Sequence, residues 1–359
     1  MEQACRVVRN NGYVGLITPN TFLRNKYAIA VRELLLRDAS IVRLALYDYN
    51  VFRGASVDTC VVVFTRDARP DSMGAALVER YQAPDRVVSL GHVPHIIWKQ
   101  REDLNFDLPA PAASASLLKK IDSRGTRLGE FATAYFGIQT HNRKRFVSPH
   151  RIADVGSLCK PALDGVNINR YSLSPPVEWV SVAKDAIKSG GDSRVYEQDR
   201  IGVRQIGRRP IATILPRGWY SLNTIYNIFF THVVHYDLRY VLGLLSSELL
   251  GWYWEVRFFD QKRTFPKVKK APLLSLPIRT IDFSEPTEVA AHDQIVSFVQ
   301  AMLDLHKDVA AAKAAHMKTA LQRQIAATDR EIDQLVYNLY GLTDEEIRIV
   351  EEATEAKGQ

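Results

Sequence analysis

The sequence predicts an α/β opening with an incomplete sheet, then an α+β domain of short strands, then a long helical segment. Three observations predict it. Over the first 66 residues, apolar β-branched runs surround one stretch of helical spacing. From residue 128 onward, short apolar runs are separated by turn residues. Past Pro286, apolar side chains recur every three or four positions. A length of 359 residues, 46% hydrophobic and 24% charged, is enough for two domains with their own cores.

In order, residues 1–10 read as the end of a helix, and Gly12-Tyr-Val-Gly-Leu-Ile-Thr-Pro19 as a short strand stopped by proline. Ala28, Val31, Leu34 and Leu35 place a helix over 28–37. Residues 41–47 and 57–64 read as strands that form an antiparallel pair. Residues 67–125 read as a closing hairpin and linker, with strand signals at 76–81 and 95–98. In the next domain, 160–171 is one unit with a tight Asp164-Gly165 turn, 200–213 is strand–turn–strand, and 220–229 is a strand. A helix is expected over 238–253, and Leu-Pro-Ile closes the domain by residue 278. Ile295, Phe298, Met302, Leu305 and Val309, then Leu321, Ile325, Ile332 and Leu335, predict a long helix or hairpin packed on the domain, or a coiled coil with a partner. Thr343 and Glu346 fit the N-cap and N3 positions of a last helix, whose acidic stretch is expected to pack structurally.

Charge narrows the function. Net charge is +7, yet residues 329–359 carry nine acids against three bases, leaving the preceding chain at +13. A basic body points to a polyanion, nucleic acid ahead of an anionic membrane surface. Cys5, Cys60 and Cys159 are isolated, which suits a reducing cytoplasm and argues against zinc or disulfides. The most apolar run, 240–259, contains Glu248, Glu255 and Arg257, so it reads as a buried helix rather than a membrane span. His92 with His95, and His232 with His235, are pairs without a third metal ligand. Pro70-Asp71 with Glu79 has the outline of a metal nuclease, but Arg80 stands where that chemistry needs lysine.

The stretch Tyr135-Phe-Gly-Ile-Gln-Thr-His-Asn-Arg-Lys-Arg-Phe146 concentrates recognition chemistry. Gln139, Thr140, His141 and Asn142 can reach base edges, while Arg143, Lys144 and Arg145 can hold phosphates. Two further segments are basic. Residues 200–213 carry four arginines and no acid; residues 257–270 carry six bases and one acid. From these, Arg204, Arg208 and Arg209 join the candidates for base or phosphate contact, Arg209 as a partner for guanine. Lys262, Arg263, Lys267, Lys269 and Lys270 are candidate phosphate clamps.

Gly12 to Phe22, followed by Asp48-Tyr-Asn-Val-Phe-Arg-Gly-Ala-Ser-Val-Asp-Thr-Cys-Val-Val-Val-Phe64, resembles the last third of the catalytic domain of adenine-specific DNA methyltransferases. The similarity is closest to the TaqI-like and type IIG restriction–modification group. Phe-Gly-Ile-Gln-Thr, Pro-Ala-Leu-x-Gly-x-x-Ile-x-Arg-Tyr, Leu-x-Ser-x-Leu and the basic loop before Leu-Pro-Ile resemble, in order, that group's C-terminal specificity domain. The resemblance covers roughly residues 1–66 and 126–280. It implies an α/β partial methyltransferase sheet (1–66), a linker (67–125), an α+β DNA-recognition domain (126–282) and a helical segment with an acidic tail (283–359). It places Phe64 where the family stacks an aromatic on the flipped-out adenine. It also implies S-adenosylmethionine for the complete enzyme and double-stranded DNA as partner. No Gly-rich cofactor loop follows a strand here, and the sole Pro-Pro, Pro175-Pro176, lacks the family's aromatic. Two expectations follow: the recognition part of an adenine methyltransferase, inactive in methyl transfer without a separate cofactor-binding half, or a free-standing DNA-binding protein.

Overall fold

The computed structural model describes residues 1–53, 57–66, 74–106, 112–232, 234–258 and 266–358, and they form a mixed α/β structure with several sheets and helices. Pro70, Asp71, Lys262 and Arg263 lie outside the described residues. Two compact units are formed, one within residues 1–115 and one within 116–359.

The first unit is built on α1 (Glu2–Val7), β1 (Tyr13–Pro19), α2 (Ile29–Asp38), β2 (Ala39–Tyr47), β3 (Thr59–Arg66), β4 (Ala75–Ala83), β5 (Arg86–Pro94) and α3 (His95–Lys99). Its sheet runs β1-β3-β2-β4-β5, antiparallel except where β4 lies parallel to β2. Residues 75–94 form the closing hairpin expected there, and it completes this sheet. Residues 95–99 are helical rather than extended, because Pro94 cannot donate to a ladder and the i, i+3 pair His95 and Trp98 both turn into the core. Alternation on β3 sends Cys60, Val62 and Phe64 into a core with Leu35, Ile41, Trp98 and Phe106. Burial pushes the Cys60 thiol up to about 12. On the other side of β3, β1 is an edge, with Tyr13 71% exposed and Ile17 45% exposed.

α4 (Ala112–Arg124) runs from one unit into the other, where a linker was expected. In the second unit the main strands are β6 (Ala132–Phe136), β7 (Val147–Ser148), β8 (Cys159–Leu163), β9 (Glu178–Ser181), β10 (Arg200–Arg204), β11 (Ile211–Leu215), β12 (Tyr220–Ser221) and β13 (Ile225–Phe230). They form two four-stranded sheets, ordered β11-β10-β13-β6 and β12-β8-β9-β7. The expected strand over 220–229 is thus divided, its halves in different sheets and joined by a turn at 222–224. The expected helix over 238–253 is divided too, into α5 (Leu238–Ser246) and α6 (Glu248–Arg257). Ser247 ends one helix by donating to the Leu244 carbonyl (2.8 Å) and caps the next by accepting from the Leu250 N–H (3.3 Å).

The final segment is a helical hairpin, α7 (Pro286–Ala311) and α8 (Ala315–Leu339), followed by α9 (Asp344–Gly358). α7 packs on α5 through Ile295, Val299 and Met302, all buried. The Thr343–Glu346 capping box is present, with bonds of 2.8 and 3.3 Å. α9 packs against α6, so this acidic helix is part of the second unit's structure.

Candidate nucleic-acid interface

The 139–146 stretch is held by backbone on both sides. Ile138 pairs with Leu222, its N–H donating to the Ser221 carbonyl at 2.7 Å while the Asn223 N–H donates to the Ile138 carbonyl at 2.9 Å. Gly137 makes that approach possible: a Cβ there would overlap the Leu222 carbonyl oxygen, and one on Gly190 (φ +78°) would overlap the carbonyl of Gly137. Gln139 and Thr140 pair with residues 187–189, and His141 N–H donates to the Ala186 carbonyl (3.0 Å). Asn142 caps the single turn Arg143–Phe146 by accepting from the Arg145 N–H (3.2 Å). With the backbone fixed, Gln139, His141, Lys144 and Arg145 are exposed, and Arg145 lies over the Phe146 ring.

Neighbouring loops join this stretch edge to edge. Asp164 Oδ1 accepts from the Gly165 N–H (2.6 Å) and from Thr224 Oγ1 (2.9 Å), and Gly165 N–H also donates to Thr224 Oγ1 (2.9 Å). The Thr224 carbonyl accepts from Gln205 N–H (2.9 Å), and Gln205 Nε2 donates to the Asn223 carbonyl (2.7 Å). Residues 266–268 add alongside the 205–207 turn, through Gly207 N–H to Pro266 O (3.0 Å) and Val268 N–H to Gln205 O (2.8 Å). A continuous surface results, running from 139–146 through 164–167 and 222–224 to 204–209 and 266–270. Lys267 and Lys269 are exposed on it and Lys270 is half-buried. Gln205, Asn223 and Thr224 escaped the sequence reading; the only local signal was a polar Asn-Thr pair where an apolar alternation lapsed.

Several candidates have other occupations. Arg143, 52% exposed, is paired with Glu178 (2.8 Å) and Asp164 (3.2 Å), so part of its charge is met within the surface. Thr140 is a ladder residue and Asn142 a cap. Arg204 folds back, Nε donating to the Ile206 carbonyl. Arg209 is the clearest correction. Its guanidinium, 25% exposed, sits between Glu248 and Glu255, each at 2.7 Å, and donates to Thr354 Oγ1 (3.3 Å). Burial works against that charge, but the two carboxylates more than offset it and the pKa is raised. It cannot present a fork to guanine from there. Arg208, 51% exposed, approaches the same Glu255 at 3.3 Å yet keeps an outward side. Phe64 belongs to the first unit; its ring is completely buried, so the expected stacking face is occupied by core contacts.

The arrangement offers donors and cations; among the described residues the non-glycine positions with positive φ are Asn11, Leu104 and Tyr171. Among the described residues no group of three His, Cys, Asp or Glu side chains could hold a metal. His95 is buried with Nε2 2.8 Å from the Ile41 carbonyl, and burial lowers its pKa; Glu79 is tied to Arg43. Among the described residues no helix is long and apolar enough to cross a membrane.

Residues 160–278 match the family described as TaqI-like C-terminal specificity domain, and residues 1–52 match the Eco57I restriction-modification methylase family. One curated relative, the type II restriction enzyme and methyltransferase RM.Eco57I of Escherichia coli, is 29% identical over 121 residues, which is 33% of this chain and 12% of that one. The chain therefore spans a small part of that relative's length. Among solved structures, the Type IIL restriction-modification enzyme MmeI in complex with DNA is similar in fold, with a TM-score of 0.55 at 12% identity over 97% of this chain and 50% of that chain. A nuclease-deletion mutant of the Type ISP enzyme LlaGI with a DNA substrate mimic gives 0.46 at 9% identity, over 84% and 30%.

Proposed function

We propose that this chain, which carries a TaqI-like C-terminal specificity domain and the matching stretch of a restriction-modification methylase, is the DNA-reading part of an adenine-specific methyltransferase. The carrying observation is the surface of the second unit, where loops distant in sequence are hydrogen-bonded into one face that displays neutral donors beside cations. Gln139, His141 and Arg208 are assigned to base edges, since amide, imidazole and guanidinium donors match the major-groove pattern. Lys144, Arg145, Lys267, Lys269 and Lys270 are assigned to phosphates, and Lys262 and Arg263 to the same role from sequence alone.

The first unit contributes differently. β1 is an edge strand of the described sheet, with exposed Tyr13 and Ile17, a surface to which further strands of a methylase sheet can add. Gly12, the glycine next to β1, is required by close packing on Val8 and Arg9 rather than as a cradle for a cofactor. We therefore assign S-adenosylmethionine and the methyl-transfer residues to strands added at β1, supplied by a cofactor-binding half. The three free, buried cysteines accord with a cytoplasmic protein.

Selection of bound duplexes from a random pool, at about physiological salt, tests the assignment. An enriched motif of a few base pairs containing adenine is the expected result. Salt-sensitive binding without enrichment would leave a sequence-tolerant binder instead. Methylation of that motif by a mixture with a cofactor-binding half, and by neither alone, tests the role of the β1 edge.

A further inference from the structure

The hairpin of α7 and α8 continues past the body of the second unit. The last fully buried residue on α7 is Met302 and the next on the returning helix is Ile332; between them no side chain is fully buried. Nine further residues of α7 at about 1.5 Å each carry the two-helix arm some 14 Å beyond Met302. Along it, Leu305, Val309, Leu321 and Ile325 are half-buried, and the two helices pack against each other. The free length is not needed for the core, and isolated amphipathic arms are stabilised weakly.

Its charge is lopsided. From residue 309 to 328 the chain carries Lys313, Lys318 and Arg323 and no acid, immediately before the acidic final stretch. All three cations are exposed. Of the acids on α7, Asp304 lies toward the root and is already held by Lys307 (2.8 Å) and Gln300 (2.9 Å), while Asp308 lies near the tip, one acid beside the three cations of 309–328. At the root, Asp329 is bound by Arg170 at 2.5 Å, and Arg170 also donates to the Ser246 carbonyl at 2.8 Å. Arg170 is six residues from Asp164, which belongs to the reading surface; that chain length spans at most about 22 Å. The arm thus leaves the unit within one helical turn of duplex, about 34 Å, from that surface.

We propose that this arm is a second, sequence-independent DNA contact, in which Lys313, Lys318 and Arg323 hold backbone phosphates flanking the bases read by the second unit. It rests on the DNA reading above and extends it: the loops choose the sequence, and the arm lengthens the footprint and adds affinity on any flanking sequence.

The test uses the full chain and two duplexes, one limited to the selected motif and one extended by about a helical turn on each side. Lys313→Ala, Lys318→Ala and Arg323→Ala are combined; all three positions are exposed, so folding is preserved. On the long duplex the triple variant is expected to lower the slope of log affinity against log salt by about 2.7, about 0.9 per phosphate contact, and to shorten the protected footprint. On the short duplex its slope should match the unchanged chain, and Lys313→Arg with Lys318→Arg and Arg323→Lys should restore the long-duplex slope. Unchanged slope and footprint on the long duplex overturn the arm contact, including the case where the variant alters only self-association. Lys267→Ala separates the two claims, because it should lower the slope on both duplexes. A chain that binds neither duplex overturns the DNA reading and the arm together.

Discussion

The base and the tip of one hairpin, β10–β11, use the same cation in opposite ways. At the base, Arg200 is fully buried, donating to Asn227 Oδ1 (2.9 Å) and to the carbonyls of Tyr196, Gln198, Pro216 and Trp219. Among the described residues no carboxylate bonds to it, and burial lowers its pKa to about 10. At the tip, eight and nine residues on, Arg208 faces outward while Arg209 is locked between Glu248 and Glu255. The first unit repeats the pattern of the base: buried Arg32 holds the carbonyls of Phe22, Asn25 and Asp103 at 2.7–3.0 Å. An arginine-rich segment is therefore not a basic patch. Some of its charge organises turns, some is neutralised by distant acids, and only the remainder faces outward.

The comparison breaks first at Arg200. Replacing it with alanine strands several buried carbonyls and should cost about 3–5 kcal/mol in urea unfolding; a cost below about 1 kcal/mol would mean the base of the hairpin does not depend on it. Arg209→Ala comes next, at about 2–3 kcal/mol, because Glu255 is 4% exposed and loses its main partner. That loss should appear in stability, with the ratio of cognate to random binding unchanged; a selective loss of cognate binding would return Arg209 to the readers.

A buried carboxylate, Asp333, is the converse case. Asp333 accepts from the Glu248 N–H at 2.8 Å, and burial, aided by Asp329, raises its pKa to about 7. A raised acid pKa means the folded state holds the proton more tightly, so this contribution is full below about pH 4 and is lost as pH rises through about 7. Asp333→Asn keeps the acceptor and removes the titration. It should be more stable than the unchanged chain by about 2 kcal/mol at pH 8, with the difference vanishing by about pH 4 in thermal unfolding. Gln139→Ala should then cost about 1–2 kcal/mol on the cognate duplex and little on random duplex. Lys269→Ala, the smallest effect, should weaken both equally and lower the salt slope by about 0.9.

Much of the framework was legible because it depends on neighbours in sequence. The strands of residues 12–66, the β10–β11 hairpin, the helical hairpin and the Thr343–Glu346 cap follow from periodicity and turn chemistry within a few residues. Where an element broke, the cause was also local but easily overrun by an apolar run: Ser247 between α5 and α6, and the 222–224 turn inside an apparent strand.

The sequence by itself determined which segments carry donors and cations, and tertiary structure decided which of those face outward. Arg143 is met by Asp164 and Glu178, and Arg209 by Glu248, Glu255 and Thr354, partners 21 to 145 residues away. Phe64 sits at the expected strand end, but the packing of α3 and Phe106 turned that face of β3 into core. The physical reason is range. Backbone preference acts over a few residues, whereas the fate of a charge or a ring depends on whichever groups the completed fold brings within about 4 Å of it.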